Sequence, residues 1–286
     1  MSVVSADNIA LGSEEPVESS GKLTDAQMRE LRRPSRRAAA YRIISLFSPI
    51  LLLLAWEVTA QLNLIDRRFF PPPSAISETA WNLIASFELF NHIGATLWRV
   101  GVGYAMGAVP GILMGLLLGV VYPARLVLGP IFAALYPVPK IAILPLILLI
   151  FGVGDMSKFV IIAIGVFFLT FYNTLSGVLQ APAIYFEVAK NAGASRLQTF
   201  LRIALPAALP SIFTGLKLAA GTSYIIIAAA EFLGARSGLG FMIWASWQTF
   251  SISKMFVGIV AISLLGYITL TLLDMLQRKL VPWARH

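Results

Sequence analysis

Six stretches of this chain stay apolar for about twenty residues or more, at about 42–62, 95–121, 126–151, 157–179, 208–230 and 255–277. A helix of roughly 20 residues crosses a hydrocarbon layer about 30 Å thick. Within that layer no water satisfies the backbone, so each segment must pair its own N–H and C=O groups, as a helix does. None of the stretches alternates apolar with polar residues in the manner of a membrane barrel strand. The fold class expected is therefore an all-α integral membrane protein of about six transmembrane helices. Residues 1–40 carry few large apolar side chains and are expected to be a flexible tail. Residues 41–280 form the membrane domain and 281–286 a short C-terminal tail. The first apolar run begins only near residue 43 and no small-residue cleavage site follows it, so it reads as a retained helix and not as a signal peptide.

Composition narrows the chemistry. Hydrophobic residues make up 58% of the chain and charged residues only 13%, and the mean hydropathy is +0.80, more apolar than one soluble core requires. The formal charge of +8 raises the question of nucleic acid. The basic residues, however, sit beside the apolar stretches instead of striping one soluble face, so they read as topology signals and no nucleic-acid partner is expected. Cysteine is absent and there are two histidines, His92 and His286, which leaves no disulfide framework, thiol nucleophile or evident metal cluster. With the N-terminus inside, the inner segments hold Lys22, Arg29, Arg32, Arg33, Arg36, Arg37, Arg42, Arg125, Lys190, Arg196, Arg202, Arg278, Lys279 and Arg285. The outer segments hold only Arg67, Arg68, Lys158, Arg236 and Lys254, so the positive-inside bias places both termini in the cytoplasm.

Two spans carry internal patterns. In the second, Gly103, Gly107, Gly111, Gly115 and Gly119 recur every fourth residue and lie along one helix face. Small residues at that spacing let backbones approach closely in lipid, within the protein or against a second copy of the chain. The third contains Pro130, Pro137, Pro139 and Pro145 around Lys140. Proline removes a backbone donor, so this span is expected to be kinked or broken, either as a plain bend or because 136–146 lines a watery path.

The segment 181–210, APAIYFEVAKNAGASRLQTFLRIALPAALP, reads as two short helices joined by a tight turn. Pro182 suits a first helical turn, and Tyr185, Val188, Ala189 and Ala192 then share one face. Gly193 ends that helix in the left-handed conformation. Ser195 and Gln198 form a capping box, and Leu197, Phe200, Leu201, Ala204 and Leu205 make the next apolar stripe before Pro206 stops the helix. Glu187, Lys190, Arg196 and Arg202 decorate it. A DNA-binding helix-turn-helix is disfavoured, because the second helix leads directly into a membrane span.

Glu187-Val188-Ala189, three residues, Gly193, nine residues, Ile203, one residue and Leu205-Pro206 together resemble the EAA loop of bacterial ABC importer permeases, E-A-A-x(3)-G-x(9)-I-x-L-P. The one departure is Val188, a small apolar swap. FFPPPSAI at 69–76, PVPKIAILPLILLIFGVGDMSK at 137–158 and AAEFLGARSGLGFMI at 229–243 are similar to the branch of that family that imports nitrate, sulfonates, taurine or bicarbonate. The resemblance covers roughly residues 43–280. It implies a five-helix permease core in the bacterial inner membrane and a translocation path built by two permease copies, with a homodimer expected. It also implies a separate ATP-hydrolysing subunit, which binds ATP and Mg and receives the loop 181–207, and an extracytoplasmic substrate-binding protein. The loop residues so implicated are Glu187, Ala189, Gly193, Arg196, Ile203, Leu205 and Pro206. The chain has no G-x-x-x-x-G-K-[ST] phosphate loop, so no cofactor is expected in it and it reads as a non-catalytic transport subunit.

Polar residues inside spans are the candidate substrate contacts, because such groups are costly in lipid and face protein or water. They are Lys140, Tyr172, Asn173, Ser223, Tyr224 and Glu231. Each also has a structural alternative: aromatic packing for the tyrosines, helix bonding for Ser223, interhelical bonding for Asn173, snorkelling for Lys140, and a gate or a pairing with Arg236 for Glu231. Arg99 is expected to pair or snorkel near an outer helix end, and Asp155 with Lys158 to open the fourth span. A small anion is the expected cargo, with another small organic solute as the alternative. A membrane enzyme would need a catalytic cluster at depth, and a secondary transporter would need coupling carboxylates and internal repeats, neither of which is visible.

Overall fold

The computed structural model describes residues 36–284; of the expected tails 1–40 and 281–286, residues 1–35 and 285–286 lie outside the described residues, while 36–40 begin a helix and Pro282–Ala284 form a 3-10 turn. The side chain of Arg196 is likewise outside them. Every regular element among the described residues is helical. In chain order they are α1 Arg36–Gln61, α2 Pro73–Ala85, α3 Glu88–Val120, α4 Tyr122–Leu135, a 3-10 turn Lys140–Ile143, α5 Leu144–Phe151, α6 Asp155–Leu179, α7 Ala183–Asn191, α8 Arg196–Thr199, a wide turn Phe200–Ala204, α9 Leu205–Phe232, α10 Leu239–Gln248 and α11 Ile252–Leu280. Residues up to Ala55 make one compact unit and Trp56 onward another.

Four helical runs are long and apolar enough to cross a membrane: Glu88–Val120, Asp155–Leu179, Leu197–Phe232 and Ile252–Leu280. A fifth crossing arises if Tyr122–Leu135 and Lys140–Phe151, bent by 82° at their junction, count as one span. The first expected span is the helix α1, whose apolar part Phe47–Gln61 is shorter than a full crossing. The protein is thus an all-α, multi-pass membrane protein, and the expected six spans resolve into four straight runs, one broken span and this N-terminal helix. The break is where the prolines put it. Pro137 and Pro139 cannot donate to a preceding turn, and Pro145 sits in the first turn of α5, where a missing N–H costs nothing.

The glycine stripe decides how the bundle packs. A Cβ built on Gly103 would lie 2.8 Å from Ile162 Cβ, and one on Gly115 would lie 2.7 Å from the Phe171 carbonyl oxygen. Gly107 meets the backbone of Ala163, Gly111 meets Thr170 and Phe167, and Gly119 meets Val178. Residue numbers rise together along both helices, so α3 and α6 run parallel, backbone against backbone, with the bent α4–α5 segment as the connection between them. The stripe is consumed inside this chain and leaves no glycine face for a second copy. On the opposite side of α3, Met106, Val109, Leu113 and Leu117 are exposed, as expected of side chains that face lipid.

α9 packs antiparallel on α6, with Gly215 against Asn173 and Gly177 against Ser211. α11 runs antiparallel to α9, placing Gly266 near Tyr224. Val100, Ala108, Ile161, Ile162, Val166, Ala219, Ile226 and Ile227 fill the resulting core. The bundle then has two ends. One carries the starts of α3, α6 and α11 with the end of α9. The other carries the segment 181–204, the start of α4 and the end of α11, and so gathers Arg125, Lys190, Arg196, Arg202, Arg278 and Lys279. In the connector after α1, Arg67 caps the helix by donating to the carbonyls of Ala60, at 2.7 Å, and Gln61, at 2.5 Å. Glu57 accepts from the Ser74 amide and hydroxyl at 2.9 and 2.7 Å. It thereby satisfies the first turn of α2, which opens in the FFPPPSAI stretch. Nearby, Arg68 donates to Asp66 at 2.9 Å and holds its carboxyl below the usual carboxylate range.

Candidate functional site

The helical hairpin at 183–204 is built by local chemistry. α7 ends at Asn191, Ala194 N donates to Ala189 O at 2.9 Å, and Gly193 has a φ of +69°. An L side chain there would strain against its own carbonyl, which is why glycine occupies the turn. The capping box forms as its spacing predicts: Ser195 N donates to Gln198 Oε1 at 2.8 Å and Gln198 N to Ser195 Oγ at 3.3 Å. Two sequence expectations change. Pro206 does not stop the helix; the chain runs from Arg196 to Phe232 without interruption, because a wide turn at Phe200–Ala204 pairs Leu205 N with Phe200 O and absorbs the proline. The packed face of α7 is also different. Phe186 packs on the cluster of Leu116, Val178, Ala204, Ala208 and Ile212 and Ala189 is buried, whereas Tyr185 and Val188 are exposed at 54% and 58%. Leu197 and Leu201, at 65% and 50%, face outward with them. Of the loop residues, Ala189 and Ala204 are inside, and Leu205 packs on the same cluster.

The run Leu197–Phe232 has 36 residues, about 54 Å at the helical rise. A hydrocarbon layer takes about 30 Å, so this run is longer than one crossing requires.

The structure separates the candidate pathway residues into three groups. Lys140 and Tyr172 come together at the break in the α4–α5 span. Tyr136 lies between them, its ring centroid 4.8 Å from that of Tyr172, and the Lys140 ammonium sits 5.2 Å from the Tyr136 ring and 4.7 Å from the Phe168 ring. Lys140 also donates to the Tyr136 carbonyl. Phe168 lies midway along α6, so this cation is held at depth by aromatic faces. Asn173, one residue beyond Tyr172, donates to the Leu169 carbonyl at 2.8 Å and presses its Cβ on Gly215. The second group is structural in its bonding: Ser223 donates to the Ala220 carbonyl at 2.7 Å, and the Tyr224 hydroxyl pairs with Thr269 at 2.8 Å.

Glu231 belongs to a third arrangement at the end of the bundle away from the hairpin. Its partner is Arg99, not Arg236. The Arg99 guanidinium donates to Glu231 at 2.8 Å, to Asp155 at 2.8 Å and to the Ser237 carbonyl at 2.6 Å. Thr96 donates to Glu231 at 3.1 Å, and the Gly240 amide donates to its second oxygen at 2.8 Å. Glu231 and Thr96 are fully buried. A side chain on Gly238, φ +113°, would fall on the Glu231 carboxylate. The buried Lys158 ammonium donates to the carbonyls of Val153 and Gly154 at 2.5 and 3.1 Å. Arg99 thus meets both carboxylates, while Lys158 is held by backbone carbonyls, including Gly234 in the stretch 229–243. A further pair escaped sequence reading: Lys217 on α9 and Asp274 on α11 meet at 2.7 Å. Both lie inside apolar runs 57 residues apart, so only an antiparallel placement of those helices could have suggested it.

The family model described as "Binding-protein-dependent transport system inner membrane component" matches residues 111–284. A Bacillus subtilis protein named as a candidate aliphatic sulfonates transport permease is 33% identical over 93% of this chain and 96% of its own. The taurine transport system permease protein of Escherichia coli is 32% identical over 84% and 89% respectively. The nitrate import permease protein of Leptolyngbya laminosa is 36% identical over 73% and 78%. A family match over more than half of the chain and relatives aligned nearly end to end, on a helical bundle that carries the hairpin, together place this protein in the binding-protein-dependent transport system inner membrane component family.

Proposed function

We propose that the chain is the permease subunit of an ATP-driven importer and forms the translocation path for a small oxyanion, of which an aliphatic sulfonate, taurine or nitrate is the expected cargo. The observation that carries this reading is the hairpin: a rigid, capped element with outward-facing Tyr185, Val188, Leu197 and Leu201, continuous with a membrane-crossing helix. An ATP-hydrolysing subunit, which would bind ATP and Mg, grips those apolar side chains. Glu187 and Arg196 supply charge to the same contact. Gly193 sets the angle between the two short helices, and Ile203, Leu205 and Pro206 pass the movement into α9. The turn Lys140–Ile143 packs against both α6 and α9, so a shift of α9 is delivered to Lys140 and Tyr172 at mid-depth. Coupling of this kind needs an element with two placements that the partner biases.

The cationic Lys140 at the broken span supports an anionic cargo, since a positive group at depth lowers the cost of a passing anion. Glu231, held by Arg99, acts as a fixed strut at the mouth. The basic residues gathered at the hairpin end support a cytoplasmic side for that end, and a cytoplasmic location of both termini, by the positive-inside bias. A substrate-binding protein then meets the opposite end, and a second copy of the chain completes the path. Uptake of labelled taurine, an alkanesulfonate and nitrate by a deletion strain carrying the gene tests the cargo. ATP-dependent uptake of at least one of them is expected, and uptake of none, with a neutral or aromatic solute carried instead, would move the assignment to another organic solute.

A further inference from the structure

Away from both the hairpin and the Lys140 turn, a cavity of about 210 Å³ opens at the polar-cluster end between the starts of α3 and α11 and the helix α10. Its apolar lining is Phe241, Met242 and Ala245, and its polar lining is Glu88, His92, Ser246, Thr249, Ser251 and Lys254. Lys254 donates to Glu88 Oε1 at 2.6 Å, and among the described residues no donor reaches Glu88 Oε2. The Gly238 amide donates to His92 Nδ1 at 3.1 Å, so the neutral imidazole carries its proton on Nε2. That nitrogen is 3.8 Å from Glu88. Ser246 is 3% exposed, and its hydroxyl has no hydrogen-bond partner. A buried hydroxyl without a partner in the wall of a polar cavity leaves a desolvation cost that a bound solute can offset.

We propose that this cavity binds a small zwitterion, with the ammonium on Glu88 and the oxyanion end on Lys254, Ser246 Oγ and His92 Nε2. The charges argue for that class. Glu88 and Lys254 sum to zero, so a bare oxyanion meets repulsion from one as well as attraction from the other. A molecule bearing both signs satisfies both at once. The apolar lining suits a short alkyl linker. The volume of about 210 Å³ leaves ample room for a two-carbon zwitterion. The site shares no residue with the proposed pathway and stands apart from the importer reading, because binding needs only the chain itself.

The test is titration calorimetry on the purified chain in lipid nanodiscs, with taurine, β-alanine, ethanesulfonate and nitrate as probes. Saturable binding of a zwitterion, with ethanesulfonate and nitrate about tenfold weaker or worse, is expected. A preference between taurine and β-alanine then identifies the oxyanion as sulfonate or carboxylate. Glu88→Gln and Lys254→Gln should each weaken the zwitterion about tenfold with an unchanged melting temperature, and Ser246→Ala should weaken it less. Lys140→Gln should leave binding intact. Ethanesulfonate binding as tightly as taurine, zwitterion affinity unchanged in both charge variants, loss of binding in Lys140→Gln, or no saturable binding of any probe would each overturn the proposal. Transport is measured separately, so failure here leaves the importer reading standing.

Discussion

The two ends of this bundle handle their polar and apolar groups in opposite ways. At one end, Arg99, Glu231, Lys158 and Thr96 are withdrawn from solvent, the exposed Asp155 accepts from Arg99, and each charge is met by hydrogen bonds. At the other, Tyr185, Val188, Leu197 and Leu201 are more than half exposed or close to it on a hairpin whose backbone is fully capped. The first end is complete within the chain. The second leaves an apolar surface that nothing among the described residues covers. The difference teaches where to look for function: the buried charges hold the scaffold, and the exposed hairpin is the surface proposed to receive a partner.

That contrast predicts a ranking of stability losses in the isolated chain, measured by thermal melting in detergent. Arg99→Met or Glu231→Leu should cost most, about 3 kcal/mol or more, because each strands a buried charge. The double variant should cost less than the sum of the two, and strict additivity would show that the pair does not interact. Gly107→Leu should come next, at about 1–3 kcal/mol, because the added atoms fall on the Ala163 backbone. Gly101→Ala on the same helix, with nothing within 4 Å, should change the melt little or raise it. Gly193→Asp should cost about 1 kcal/mol, from strain at its positive φ, yet abolish transport. Smallest of all, Val188→Asn and Leu197→Asn should stay within about 0.5 kcal/mol while weakening capture of an ATP-hydrolysing subunit. Comparable melting losses at both ends would break the comparison.

Much of the scaffold was legible in the sequence because its causes are local or periodic. Apolar length marked the spans, the every-fourth-residue spacing marked a close helix contact without naming α6 as its partner, the prolines marked the break, and the Ser195–Gln198 spacing marked the cap. The misread parts depend on what lies across space. Periodicity put Tyr185, Val188 and Ala189 on one face but could not say that the smaller Ala189 would be buried while Tyr185 and Val188 stayed exposed. Proline rules predicted a stop at Pro206, whereas one wide turn restores the register and lets the long run continue. Glu231 was drawn to Arg236, five residues away, while its partner Arg99 is 132 residues distant and reaches it only because α3 and α9 share one core.

The central claim, that the hairpin is the surface where an energy-supplying subunit grips this permease, is tested most directly by gentle purification from the native membrane followed by mass spectrometry of what accompanies the chain. The account predicts that an ATP-hydrolysing subunit is retained by the native sequence and lost from a Val188→Asp/Leu197→Asp variant that still melts normally. A chain purified without such a subunit, carrying solute into vesicles in the absence of ATP, would contradict it.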